Sequence, residues 1–210
     1  MLNISNFKLQ TLNLKLALLR LKLPTDPRWV NIVEKNIKEI LIDHAWCEQK
    51  AATNAVSIIV RYPEYTDLVK AMLDLAQEEL VHFKMVHDKI IERGWVLGPE
   101  RKDEYVGMLY NFRRKGGSRQ VQLTDHLLFA AMIEARSCER FRVLSENIND
   151  PELAAFYHEL MISEAAHYTT FLSFAKQYAN GEDVDKRWKE FLDYEGEVIK
   201  QFGKKETIHG

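Results

Sequence analysis

Polar and apolar positions along this chain recur with helical period, and four long amphipathic helices account for most of the sequence between Pro27 and Gly181. Asp26-Pro27 reads as an N-cap followed by proline in the first turn, opening a helix that runs to about Val60. Its inward stripe is Ile37, Leu41, His44, Glu48, Ala51, Ala55 and Ile58. Pro63 interrupts the pattern, and a second helix continues to Arg93, stopped by Gly94, with Leu68, Met72, Leu75, Glu79, His82, Val86 and Ile90 on one face. Thr124 is expected to cap a third helix with the stripe Leu127, Ala130, Ala131, Glu134, Cys138 and Phe141. Asp150-Pro151 opens a fourth, carrying Leu153, Phe156, Leu160, Glu164, His167, Phe171 and Phe174 before Asn180-Gly181 ends it.

Residues 94 to about 122 carry no long stripe. They include a short helix around Pro99 to Phe112 and the basic run Arg113-Arg-Lys-Gly-Gly-Ser-Arg119. A long connection midway between two helical hairpins is what a ferritin-like bundle needs. A last helix, roughly Val184 to Phe202, carries Trp188, Phe191 and Ile199 and is expected to pack outside the core. The expected fold is all-α: one ferritin-like four-helix bundle domain over residues 1–210, with a long crossover connection and an extra C-terminal helix.

Composition agrees with helix and narrows the setting. The 210 residues hold only 9 Gly and 5 Pro, with 46% hydrophobic and 29% charged residues, as in a globular helical domain. Cys47 and Cys138 form no C-x-x-C, which leaves no disulfide framework, rubredoxin-like site or zinc finger and points to the cytoplasm. The apolar stretch around Leu12 to Leu23 is broken by Lys15, Arg20 and Lys22, so it is expected to be neither a signal nor an anchor, and no membrane is implied. A net charge of −2 gives no general attraction to nucleic acid, so a polyanionic partner must be held by a local basic patch.

The inward stripes carry the chemistry. Glu79-Leu-Val-His82 and Glu164-Ala-Ala-His167 share one spacing, each preceded by a lone inward glutamate, Glu48 or Glu134. Glu48 precedes Glu79 by 31 residues and Glu134 precedes Glu164 by 30, which marks a duplicated helical pair. Glu and His three apart on a helix point the same way and can grip one metal. Four carboxylates and two imidazoles from four helices make a di-iron or di-manganese carboxylate site. Among 7 His, about 0.7 Glu-x-x-His matches arise by chance, so phase and duplication carry the argument. A third match, Glu206-Thr-Ile-His209, lies in a polar tail expected to be disordered and is set aside. Glu78 and Glu139 are turned away by the stripe phases, and His44 lies one turn before Glu48 as a core histidine or a neighbour of the site. Without thiolates such a site suits iron or manganese, and oxygenase, desaturase, ferroxidase, peroxidase and radical-generating chemistries all remain open.

Leu41 to Ala52, Gln77 to Phe83, Ile133 to Phe141 and Ser163 to Tyr168 resemble the MiaE family of tRNA-(2-methylthio-N6-isopentenyladenosine) hydroxylases. The likeness runs from about Pro24 through the fourth helix. Val81 and Ala166 depart from it, standing where histidine and arginine are common. The resemblance implies an O2-dependent monooxygenase with two iron ions (Fe2+/Fe3+), acting on the isopentenyl chain of a modified adenosine beside the tRNA anticodon. It implies that Glu48, Glu79 and His82 hold one iron, that Glu134, Glu164 and His167 hold the other, and that Glu79 and Glu164 bridge them. No catalytic residue beyond the ligands is implied, and an external reductase or ferredoxin must supply electrons. Arg113, Arg114, Lys115 and Arg119 are the expected tRNA contacts, with Arg101 and Lys102 as an extension and Trp95, Tyr105, Tyr110 and Phe112 as stacking candidates. The rival is a ferritin- or rubrerythrin-like iron oxidase or peroxidase without a nucleic-acid substrate.

Overall fold

The computed structural model describes residues 19–202 and 207–209, and every regular element among them is a helix. Most of the apolar Leu12 to Leu23 stretch lies outside the described residues. Seven α-helices follow one another: α1 (Val30–Lys35), α2 (Ile37–Arg61), α3 (Thr66–Glu92), α4 (Glu104–Phe112), α5 (Arg119–Asn147), α6 (Pro151–Gln177) and α7 (Val184–Phe202). No helix among the described residues is long and apolar enough to cross a membrane.

The described residues form two compact units, one built mainly of 31–103 and the other of 104–202 with 19–30. The single helix expected from Pro27 is three pieces, and the first of them belongs to the second unit. Asp26 caps a 3-10 turn, Pro27–Trp29, by accepting from the Arg28 backbone N–H at 2.9 Å. The backbone then leaves helical geometry at Asn36 (φ −136, ψ 33), whose side-chain amide donates to the Ile32 carbonyl at 2.9 Å, before α2 begins. A polar side chain that satisfies the previous turn's carbonyl takes over a helical bond, which no glycine or proline announces.

Helices α2 and α3 form a hairpin through residues 62–65. All seven positions of the α3 stripe are buried, from Leu68 to Ile90. Its end is a Schellman turn: Gly94 (φ 73) donates to Ile91 and Trp95 to Ile90, at 2.8 and 3.1 Å. Ile208, in the segment expected to be disordered, is buried and its backbone N–H donates to the Asp43 carboxylate at 2.8 Å.

In the second unit α5 and α6 form the equivalent hairpin. Asp150 caps α6 by accepting from the Glu152 and Leu153 backbone at 3.0 and 3.1 Å. Helix α5 starts earlier than expected, capped by Ser118, which accepts from the Val121 N–H at 3.2 Å, while Thr124 is buried inside it. Helix α7 packs against α4 and α5. A buried ion pair fixes that packing: Arg136 of α5 donates to Glu195 of α7 at 2.6 and 2.9 Å, and Tyr105 of α4 donates to the same carboxylate at 3.1 Å. Arg136 also donates to Glu139, which accepts from the Thr25 backbone at 2.9 Å and from its hydroxyl. Gly196 lets the segment before Thr25 pass close to α7, since a Cβ there would stand 3.0 Å from the Lys22 Cβ. His209 is held on this unit by Ser137, at 3.0 Å, and stacks on Tyr105.

Candidate metal centre

Each hairpin carries its three expected ligands inward. On the first, Glu48, Glu79 and His82 are buried, and each brings a ligand atom within 4.8 Å of the others. His82 Nδ1 lies 3.3 Å from a Glu79 oxygen and 3.9 Å from a Glu48 oxygen. On the second, Glu134, Glu164 and His167 are also buried and meet the same limit of 4.8 Å. His167 Nδ1 stands 4.0 Å from a Glu134 oxygen, the counterpart of the first hairpin's histidine-to-glutamate approach. Repetition of one side-chain triad on two hairpins follows from the repeated spacing, because 3.6 residues per turn place Glu and His at i, i+3 on one face.

The halves differ beside their lone glutamates. His44, four residues before Glu48 on α2, is fully buried with Nε2 2.6 Å from Glu48 Oε1. Ala130 occupies the corresponding place before Glu134, so one hairpin fixes its glutamate with an imidazole and the other does not use that position. Glu78 is exposed, with one oxygen 3.9 Å from His82 Nε2. Glu139 is buried and bonded to Thr25 and Arg136. Cys138 donates to the Met161 carbonyl at 3.4 Å, as a packed thiol rather than a ligand. Desolvation, with Asp43 and Asp103 nearby, pushes the half-buried Cys47 thiol well up and keeps it protonated. Val81 and Ala166 are both exposed, so the departures from the family pattern lie on the side of each helix away from its ligands.

Buried carboxylates are costly unless protonated, paired or metal-bound. On each hairpin two buried glutamates with one imidazole and no thiolate form a donor set that fits iron or manganese and disfavours zinc-finger or iron–sulfur chemistry.

The basic connection is partly committed to structure. Arg114 donates to Asp125 through its backbone N–H, Nε and Nη2 at 2.7, 3.0 and 2.8 Å, and to Glu182 at 2.8 Å. Arg187 donates to the same Asp125 carboxylate at 3.0 and 2.7 Å. Burial alone would raise the Asp125 pKa, but hydrogen bonds from Arg187 and Arg114 outweigh it and hold the carboxyl below 3.8. Arg113 lies 3.6 Å above the Tyr110 ring. Lys115 and Arg119 are exposed. In the other unit Arg101 pairs with Glu39 and Lys102 is exposed. Of the stacking candidates, Tyr105 is buried and Phe112 stacks on Tyr194 at 4.2 Å, while Tyr110 stays 47% exposed.

Two helical hairpins, each with an inward glutamate and an inward Glu-x-x-His, joined by a long connection, define an all-α protein of ferritin-like fold with a candidate metal site. The model of the tRNA-(MS[2]IO[6]A)-hydroxylase (MiaE) family matches residues 11–210, and the chain belongs to that family. Two relatives carry the name tRNA 2-(methylsulfanyl)-N(6)-isopentenyladenosine(37) hydroxylase. The one from Pseudomonas putida is 40% identical over 161 residues, 77% of this chain and 77% of the relative. The one from Salmonella typhimurium is 28% identical over 226 residues, 84% of this chain and 82% of the relative. Among solved structures, a Synechococcus protein with aldehyde deformylating oxygenase activity matches with a TM-score of 0.83 and 34% identity, covering 90% of this chain and 95% of that one.

Proposed function

We propose that this chain is an O2-dependent non-haem di-iron monooxygenase that hydroxylates the isopentenyl group of 2-methylthio-N6-isopentenyladenosine beside the anticodon of tRNA. The observation that carries the reading is the duplicated, buried Glu plus Glu-x-x-His set within a chain of this family. Glu48, Glu79 and His82 hold one iron, and Glu134, Glu164 and His167 hold the other. Loaded with iron, the site would activate O2. One oxygen atom enters the substrate and the other leaves as water, with two electrons and two protons supplied through an external reductase or ferredoxin.

The chain's own groups prepare that chemistry. His44 donates to Glu48 and fixes which oxygen remains for the metal. Burial of all six side chains keeps bulk water away from the oxidising centre. The base must leave its stack to reach such a centre, and exposed Lys115 and Arg119 would steady the flanking phosphates. Arg114 serves them indirectly by tying their loop to Asp125 and Glu182. A tRNA substrate places the work in the cytoplasm.

Nucleoside mass spectrometry of tRNA from aerobic cells with and without the gene tests this reading. Loss of the hydroxylated isopentenyl nucleoside on deletion, with its unhydroxylated precursor accumulating, is expected. Persistence of the hydroxylated form in a strain with no second hydroxylase sinks it.

A further inference from the structure

A cavity of about 810 Å³ opens in the second unit between α6, α7 and the segment around Arg20 to Lys22. Four cations line it, Arg20, Lys22, Lys176 and Lys189, against one carboxylate, Asp185. Its floor includes Tyr168 and Trp188, whose rings lie 5.9 Å apart, and Ser173 adds a hydroxyl. Burial pushes the Tyr168 phenol up to about 12, partly offset by Arg20, so it remains a neutral hydrogen-bonding group at neutral pH.

Two of the lysines already have acidic neighbours: Lys176 meets Asp185 and Lys22 meets Asp193, both at 2.8 Å. All four partners are at least 44% exposed, so these pairs are weak and exchange readily for a stronger anion. A concave site with this excess of cations over carboxylates selects polyanions.

Its position narrows the polyanion. Tyr168, Ser173 and Lys176 lie on the flank of the helix that carries Glu164 and His167. At 1.5 Å per residue, the site stretches from about 2 to about 14 Å along the helix axis from His167. Asp185, on its rim, follows three residues after Glu182, the residue that accepts from Arg114 of the basic connection. Cavity and basic loop are therefore linked on one unit.

We propose that this cavity is a phosphate-docking site for the RNA strand of the substrate, outside the pocket that takes the reacting base. The proposal rests on the tRNA reading above and assigns the binding surface that it requires.

The test is the affinity of iron-loaded protein, held without O2, for a labelled anticodon stem-loop bearing the isopentenyl adenosine, measured by fluorescence anisotropy between about 50 and 200 mM salt. The double variant Lys176→Glu, Lys189→Glu should bind at least about tenfold more weakly, with a salt slope shallower by about 1 to 2. Lys200→Glu, an exposed charge change elsewhere on α7, should change neither. Lys176→Gln with Lys189→Gln repeats the test by charge removal, and circular dichroism checks that the helices persist.

Unchanged RNA affinity and slope in both double variants overturn the docking site while leaving the tRNA reading intact. Unchanged RNA affinity with slowed electron delivery from an acidic ferredoxin would reassign the surface to a redox partner and also overturn it. Wild-type protein that binds no stem-loop at any salt sinks both readings. Release of RNA by inorganic phosphate in excess of the effect of chloride at equal ionic strength supports docking through phosphate groups; equal release by the two salts counts against it.

Discussion

His44 Nε2 lies 2.6 Å from Glu48 Oε1, one helical turn before a proposed ligand and on the same face of α2. The imidazole donates to the carboxylate and removes its freedom to rotate. Ala130 stands at the matching place in the other hairpin, so the two glutamates, alike in spacing, differ in support. His44→Phe is expected to lower iron affinity at one of two sites by about 10- to 100-fold. Anaerobic Fe(II) titration should then split into a tight and a weak phase. A single unchanged phase would remove the supporting role.

Metal removal should expose the cost of burying these acids. Glu79 is fully buried, and without a cation its charge has no water to stabilise it. A chelator should lower Tm, and Glu79→Gln should abolish metal-dependent stabilisation. The same substitution should raise the Tm of the metal-free protein by about 3–6 °C, corresponding to about 1–2 kcal/mol. Calorimetry of both proteins with and without Fe(II) checks the opposite signs. A metal-free variant less stable than the metal-free parent would contradict the account.

Acid should act through Asp125. Its carboxyl titrates below 3.8 in the folded protein, because bonds from Arg187 and Arg114 overcome burial. A depressed folded pKa means that its stabilisation is present above the unfolded pKa, about 3.9, and lost as pH falls through the folded value. Asp125→Asn should cost about 3 kcal/mol at pH 7 and flatten the stability profile below about pH 4. Urea melts at pH 3, 4 and 7 measure both.

Arg136→Met removes the cation that Glu195 and Glu139 share while keeping the side chain's length. It leaves two buried carboxylates without their guanidinium and is expected to cost about 3–5 kcal/mol, or roughly 10 °C in Tm. Adding Glu195→Gln should recover part of the loss, and an additive double variant would show that the pair is not coupled.

Much of the helical order was readable because glutamate, histidine and leucine share single stripes. From Leu68 to Ile90 every expected inward residue is buried, and the ligand positions are phased with them. What escaped reading was tertiary. Arg136 and Arg140 sit fully buried in α5, where a binary pattern turns arginine outward. They are inside because Glu195 arrives from α7 to pair with one, while the other lies 4.0 Å over the Trp29 ring and is pushed down to about 10 by burial and by Arg136. The bonds of Arg114 to Asp125 and Glu182 could not be read because those partners stand 11 and 68 residues away. Ser118 rather than Thr124 starts α5, since both residue types can cap and only the first Val121 bond decides. The tail at Ile208 and His209 gave no periodic signal at all, yet Asp43 and Ser137 hold it.

Gly196 places a single hydrogen where the polypeptide before Thr25 crosses α7. Alanine there would gain helix propensity of about 1 kcal/mol yet push against the Lys22 backbone-proximal carbon. Lys22 would be displaced by a few tenths of an ångström, though it had not itself been altered. A methyl group on the far side of that strap would thus act on the charged rim from a distance, trading stability of the scaffold against the placement of Lys22.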